Sequence, residues 1–138
     1  METKKIEVFL GGTCANSTWR ERLIKQLKVD YFNPVVDDWT PEDQEIEKQK
    51  RKTSDYVLYV ITPLMKGVYS IAETIDDSNK RSEKTLFCFL KEDDDEKFDE
   101  EQIKSLKAVG ELVKENGGKW FQSLYEIAFF LNTVNQFK

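Results

Sequence analysis

Glu73 is one of the side chains in this sequence whose type and place could do chemistry. Tyr56 to Ile61 (YVLYVI) reads as a buried strand and Thr62 to Ser70 as a loop. Glu73 then falls one turn into the helix that follows. A carboxylate there can turn into a crevice at moderate cost, because the helix dipole favours its charge near the N-terminus. The same placement also suits an ordinary acid that stabilises its own helix. Two other loops follow strands and would open on the same side. The stretch Gly11 to Ser17 brings Gly11, Gly12, Cys14 and Asn16; the stretch Asn33 to Thr40 brings Asn33, Asp37, Asp38 and Trp39. The loop before Glu73 adds Met65, Gly67, Tyr69 and Ser70. At the least, Gly11-Gly12 relieve crowding at a strand-to-helix turn. Trp39, beside two Asp just ahead of a helix cap, reads as an edge residue lining a cleft, with a place in the core as the alternative.

What the chain lacks narrows the chemistry further. It has no histidine in 138 residues, which removes Ser-His and Cys-His catalysis, imidazole metal sites and His-based pH switches. Two cysteines, Cys14 and Cys88, are too few for a four-thiolate zinc site or a disulfide framework and read as reduced thiols in a cytoplasmic protein. A net charge of −5 argues against a nucleic-acid polymer as partner but not against a neutral nucleoside. No apolar run reaches membrane-spanning length, and METKKIEVFL reads as a strand, not as a signal segment. Carboxylates, hydroxyls, thiols, amides, lysines, arginines or a bound metal must therefore carry any reaction.

The elements that position these residues alternate between short apolar runs and longer amphipathic ones, the pattern of βαβ units on a parallel sheet. Strands are expected at Ile6 to Leu10, Val29 to Asn33, Tyr56 to Ile61, Thr85 to Leu90 and Lys119 to Gln122. Helices are expected from Ser17 to Leu27, after Thr40-Pro41, from Ser70 to about Asn79, from Glu101 to Glu115 and from Leu124 to Phe137. Thr40 as N-cap, Pro41 at the first helical position and Glu42-Asp43 behind them form the clearest helix start in the chain. Its helix has almost no apolar residue and should be mostly solvated. The acidic run Lys91 to Glu101 reads as a surface loop. One α/β domain over 1–138 is expected, a flavodoxin-like three-layer sandwich on a five-stranded parallel sheet, with its ligand site beyond the carboxyl ends of the strands.

Four segments in this order, VFLGGT (8–13), NPVVDDW (33–39), SDYVLYVITP (54–63) and GVYSIAE (67–73), resemble the nucleoside 2-deoxyribosyltransferase superfamily, in particular its short deoxyribosyltransferase-like branch. The likeness covers roughly residues 6 to 90, and its force lies in order and spacing. It implies a flavodoxin-like fold and a nucleophilic Glu73 that displaces the base from a 2-deoxynucleoside, with a second base or water resolving the covalent sugar. It implies an acid near the base on the helix before the third strand, which counting back makes Glu47, with Glu45 close by. No metal or cofactor is implied. The partners implied are a small-molecule nucleoside or nucleotide, a free nucleobase and further copies of the chain, since family sites often borrow residues from a neighbour's C-terminal region. Two positions depart from the family pattern: Gly67 stands where an Asp helps to position the sugar, and Phe9 where the first strand usually carries Tyr. Ser70, Asp37, Asp38 or Asn16 are the alternative holders of the sugar hydroxyls. Trp19 and Trp39 are candidates to stack on a base, with a core role for Trp19 weighed equally.

Three other readings stay open. Cys14 to Arg20 (CANSTWR) matches the C-x5-R phosphate loop of small tyrosine phosphatases, although Glu21 replaces the usual Ser or Thr after the Arg. Water as acceptor would make the protein an N-glycosidase on deoxynucleosides or their monophosphates, with Lys66, Arg20 or the amides near Ser70 holding a phosphate. A non-catalytic nucleotide-binding module is the third.

Overall fold

The computed structural model describes residues 5–14, 16–36 and 38–136. Strands β1 (Glu7–Gly12), β2 (Asp30–Phe32), β3 (Tyr56–Ile61) and β4 (Thr85–Phe89) alternate with helices α1 (Trp19–Ile24), α2 (Pro41–Thr53) and α3 (Tyr69–Lys80). A two-residue hairpin, β5 (Glu92–Asp93) and β6 (Glu96–Lys97), precedes α4 (Glu100–Glu115), β7 (Lys119–Phe121) and α5 (Leu124–Gln136). The main sheet runs in the order β2-β1-β3-β4-β7 with every pair parallel. That is the flavodoxin-like order, and it reverses between β1 and β3. Among the described residues no helix is long and apolar enough to cross a membrane.

Alternation along the strands assigns the layers. Val8 and Leu10 of β1 join Leu58 and Val60 of β3 and Leu86 and Cys88 of β4 on one face, under Trp19 and Leu23 of α1 and Ile127 and Leu131 of α5. Phe9, Val57, Tyr59, Ile61 and Phe87 point to the other face, under α3 and α4. Both faces of β3 are covered, which is why YVLYVI carries no polar alternation. Each such side chain contributes about 1.5–3 kcal/mol by leaving water. Helix α5 lies over the sheet through Leu124, Ile127, Ala128 and Leu131 and leaves Tyr125 and Phe129 exposed. Helix α2 buries no residue and starts as expected: Thr40 Oγ1 accepts from the Asp43 amide while Asp43 accepts from the Thr40 amide.

Three local expectations need correction. β1 does not stop at the glycines but runs through them, because Gly12 pairs with Val60 and holds φ at +118°. A Cβ on Gly12 would lie 2.1 Å from the Val60 carbonyl oxygen. Gly12→Ala should therefore lower unfolding free energy by about 2–5 kcal/mol, combining backbone strain with overpacking; urea denaturation checks this. Helix α1 is shorter at both ends than its apolar spacing indicates; Ser17 stays outside it, its hydroxyl donating to Asp93, and the helix ends at Ile24, not Leu27. The run after β4 is not simply a solvated loop. Asp93 is buried in the β5–β6 hairpin, where it accepts from Ser17 Oγ and from Arg22 Nη2 at 3.1 Å. Two donors satisfy the buried charge, and the hairpin thereby braces the segment that follows β1.

Candidate active site

A cleft of about 350 Å³ opens beyond the carboxyl ends of β1 and β3, where the strand order reverses. One wall is the stretch after β2, with Pro34, Val35, Val36 and Trp39. Another is α2, which presents Gln44, Glu47, Lys48 and Arg51 at helical spacing. Cys14 comes from the segment after β1, and α3 supplies Tyr69 and Glu73. A smaller hollow of about 210 Å³ shares Cys14 and Tyr69 with this cleft and adds Gly12, Thr13, Met65, Lys66, Gly67 and Ser70.

Glu73 stands one turn into α3 with its side chain 17% exposed. Arg51 Nη1 lies 3.5 Å from Glu73 Oε2. Burial pushes the Glu73 carboxyl up to about 7; Arg51 opposes that rise, and Glu47, Asp77 and Asp76 add to it. Glu47 faces the same cleft from α2. Burial raises its pKa as well, against the hydrogen bond that Trp39 Nε1 donates to Oε2 at 3.4 Å. The cleft thus holds two carboxyls displaced toward their protonated forms, one beside a guanidinium and one beside an indole.

Arg51 is itself fixed from below. Its Nε and Nη2 donate to the two oxygens of Asp77 at 3.1 and 3.0 Å, and Nη2 also reaches Asp76 at 3.1 Å. Asp77 is fully buried and accepts further from the Tyr59 hydroxyl and from Arg81. Burial works against the Arg51 charge, but the Asp77 hydrogen bonds and the surrounding negative charges hold its pKa above the ordinary value. The Tyr59 phenol is likewise held protonated by burial and by the Asp77 charge.

The expected site residues fall into distinct groups. Glu73, Glu47 and Trp39 meet in the cleft, with Trp39 52% exposed at its edge. Gly12, Gly67 and Ser70 line the adjoining hollow. Phe9 and Gly11 are among the lining residues of neither the cleft nor the hollow. Phe9 is buried against Phe32 at 5.9 Å, and Gly11 leaves room for the Tyr59 ring, which a Cβ would meet at 2.6 Å. Asn33 Oδ1 accepts from the Val35 amide at 3.0 Å and so turns the wall segment without lining it. Asn16, at φ 64°, and Asp38 are exposed and are not among the lining residues. Glu45 is exposed, 3.7 Å from Lys48, and outside the lining. Asp37 lies outside the described residues.

Two of the readings from sequence do not survive the packing. Trp19 is fully buried under the sheet, with its indole N–H donating to the Thr13 carbonyl at 2.8 Å, so of its two roles it fills the core one. Arg20 is buried too, and its guanidinium donates to the carbonyls of Leu10, Thr13 and Gly12 at 2.9, 2.6 and 3.3 Å. Its donors close the turn after β1, so it cannot serve as the arginine of a phosphate loop. Sequence reasoning missed Arg51, Gln44 and Lys48. No local signal marked Arg51: Glu73 and Asp77 recur at an interval of four on α3, but the cation they share stands on another helix.

Among the described residues no group of three or more His, Cys, Asp or Glu side chains is arranged to hold a metal ion. No curated protein and no solved structure matches the chain. A family model described as nucleoside 2-deoxyribosyltransferase-like does, over residues 5–92, more than half of the sequence. That span runs from β1 through α3 and β4 and takes in every residue lining the cleft. The chain therefore belongs to the nucleoside 2-deoxyribosyltransferase-like family.

Proposed function

We propose that the protein cleaves the N-glycosidic bond of 2-deoxynucleosides through Glu73 and transfers the sugar to another base. The observation that carries this reading is a shielded carboxylate, Glu73, across one cleft from a second carboxyl, Glu47, that hydrogen-bonds an edge indole. Ionised Glu73 attacks the anomeric carbon, an Oε–C1′ bond forms, and the C1′–N bond breaks with its electron pair going to the base. Protonated Glu47 delivers a proton to the departing base nitrogen. An incoming base then attacks C1′, the electron pair of the ester bond returns to Glu73, and Glu47 takes up the proton that the base releases. This is the retaining glycosidase scheme with an oxocarbenium-like transition state, eased because a 2-deoxy sugar lacks an electron-withdrawing hydroxyl. Trp39 offers a face for the base, and Tyr69 stands 70% exposed at the mouth. The reaction calls for no metal or cofactor, and its partners are small molecules.

Chromatography of the protein with each 2-deoxynucleoside and free adenine tests the reading, with Glu73→Gln alongside. Deoxyadenosine formed from thymidine by the wild type supports transfer. Free base without a new nucleoside replaces it with hydrolysis. The adjoining hollow favours the monophosphates as the next substrates, because Lys66 and Ser70 stand there at the start of α3. Ligand-induced thermal stabilisation with no turnover marks a binding module and overturns the enzymatic reading.

Gly67 gives this reading a gain-of-function arm. A Cβ at Gly67 meets nothing within 4 Å, so the position has open space in which Gly67→Asp can begin its side chain. The substitution should leave unfolding free energy within about 0.5 kcal/mol of wild type. It should also raise the rate of base release, by placing a carboxylate on the hollow where the sugar hydroxyls would lie; melting curves and initial rates check the two halves.

A further inference from the structure

Two cations line the cleft, and they differ in kind. Lys48 is half-exposed and pairs loosely with Glu45. Arg51 is 11% exposed and has two of its three nitrogens committed to both oxygens of Asp77. Asp77 is in turn held from β3 by the Tyr59 hydroxyl and from its own helix by Arg81. A guanidinium gripped along one edge cannot turn, so its remaining nitrogen, Nη1, faces a fixed direction. That direction is Glu73, with Oε2 at 3.5 Å. Helix α2 and helix α3 are thus joined by a fork that ends on the carboxylate assigned to attack.

We infer that Arg51 is the positioning residue of Glu73, engaging one carboxylate oxygen so that the other is left for the anomeric carbon and keeping on that carboxylate the charge that attack requires. The inference rests on Glu73 as the nucleophile. The groups facing Glu73 are Arg51 and Glu47 from α2, Tyr59 from β3, and Asp76 and Asp77 from its own helix. Cys14 and Tyr69 share its cleft. Lys48 shares the cleft too but pairs with Glu45, whereas Arg51 reaches Glu73 at 3.5 Å and opposes the negative charges around it, so its loss moves Glu73 in a defined direction. A lysine at this position keeps a charge but has no planar fork with which to take both Asp77 oxygens.

The test follows the Glu73 carboxyl by carbon NMR across pH in ligand-free protein, with Glu73→Gln identifying the resonance, and pairs it with pH–rate profiles. In Arg51→Gln the Glu73 midpoint should rise by about one pH unit or more, and the acid limb of the rate should move with it. At pH 7 kcat should fall about 10- to 100-fold, with KM changing far less. Arg51→Lys should return the midpoint toward wild type and recover only part of kcat. A folded Arg51→Gln with Glu73 titrating as in wild type overturns the inference. Should that variant not fold, Arg51→Lys decides: wild-type kcat there overturns the role of the fork, and reduced kcat with a near-normal midpoint supports it. An active Glu73→Gln would instead defeat the nucleophile assignment, so the two failures give different results.

Discussion

Base release from a 2-deoxynucleoside should climb with pH through about 7, and Glu73→Gln should lower it by about 1000-fold or more across the whole range. The midpoint follows from burial, which holds the Glu73 carboxyl up to about 7 despite the neighbouring Arg51. Only the ionised form can attack the anomeric carbon, so on the limb set by Glu73 activity is low at pH 5 and half-developed near 7, and the proton that Glu47 must keep closes the profile on its alkaline side. The same displacement carries a stability consequence of opposite sign. A carboxyl whose folded pKa exceeds its unfolded value binds more protons when folded, so the protein loses stability as pH rises from about 4.5 to about 7. Glutamine resembles the protonated acid and escapes that loss. Glu73→Gln should therefore be inactive yet more stable than wild type at pH 8, as measured by urea denaturation. An inactive but destabilised variant would show that the carboxylate is held for folding and not against it. Glu73→Ala removes the same nucleophile but empties the space as well, which makes Gln the cleaner comparison.

The framework of the candidate site could be read from the sequence because it obeys short-range rules, while Glu47 and the role of Glu73 came only from the family resemblance. The apolar run Tyr56 to Ile61, the Thr40-Pro41 cap and the turn-later position of Glu73 each follow from local chemistry, and together they place the site at the carboxyl end of a parallel sheet. Trp19 shares an apolar face with Leu23 at helical spacing, and that local pattern, not the prospect of stacking on a base, decided its place in the core. What escaped depends on contacts distant in sequence. Asp93 sits in an acidic stretch that looks solvated, and only the approach of Ser17 and Arg22 makes it a buried acceptor. Arg51 stands between two lysines at the end of a helix with no apolar stripe, so nothing nearby distinguishes it from a solvated charge. Its partner Asp77 lies 26 residues on, on another helix. Charge pairing of that range has no period, and it becomes legible only once the helices are docked.

Asp77→Ala should be the most damaging substitution for folding among the charged residues of the cleft region, lowering unfolding free energy by about 3–5 kcal/mol. Asp77 is fully buried and accepts from Arg51, Arg81 and Tyr59, so its removal strands two guanidinium groups and a phenol in the space beneath Glu73. Asp76 makes the contrast. It also meets Arg51 but is 43% exposed, and Asp76→Ala should change stability by less than about 1 kcal/mol. Tyr59→Phe removes one donor while leaving Asp77 its two arginines and should fall between them, at about 1–2 kcal/mol. Urea denaturation at one pH orders the three variants. The cost of Asp77→Ala is mainly that of unpaired partners, so it should shrink when Arg51 is removed as well. Arg51→Met with Asp77→Leu should recover part of the lost stability, because apolar side chains of similar size can replace a buried ion pair with little penalty. Arg81, partly exposed, can then turn toward solvent. Such a double variant would be folded and still slow, since Glu73 would have lost its guanidinium. Stability and rate would then part company at one pair of residues. A network retained for stability alone would gain nothing from a fork whose free nitrogen faces the carboxylate proposed to react.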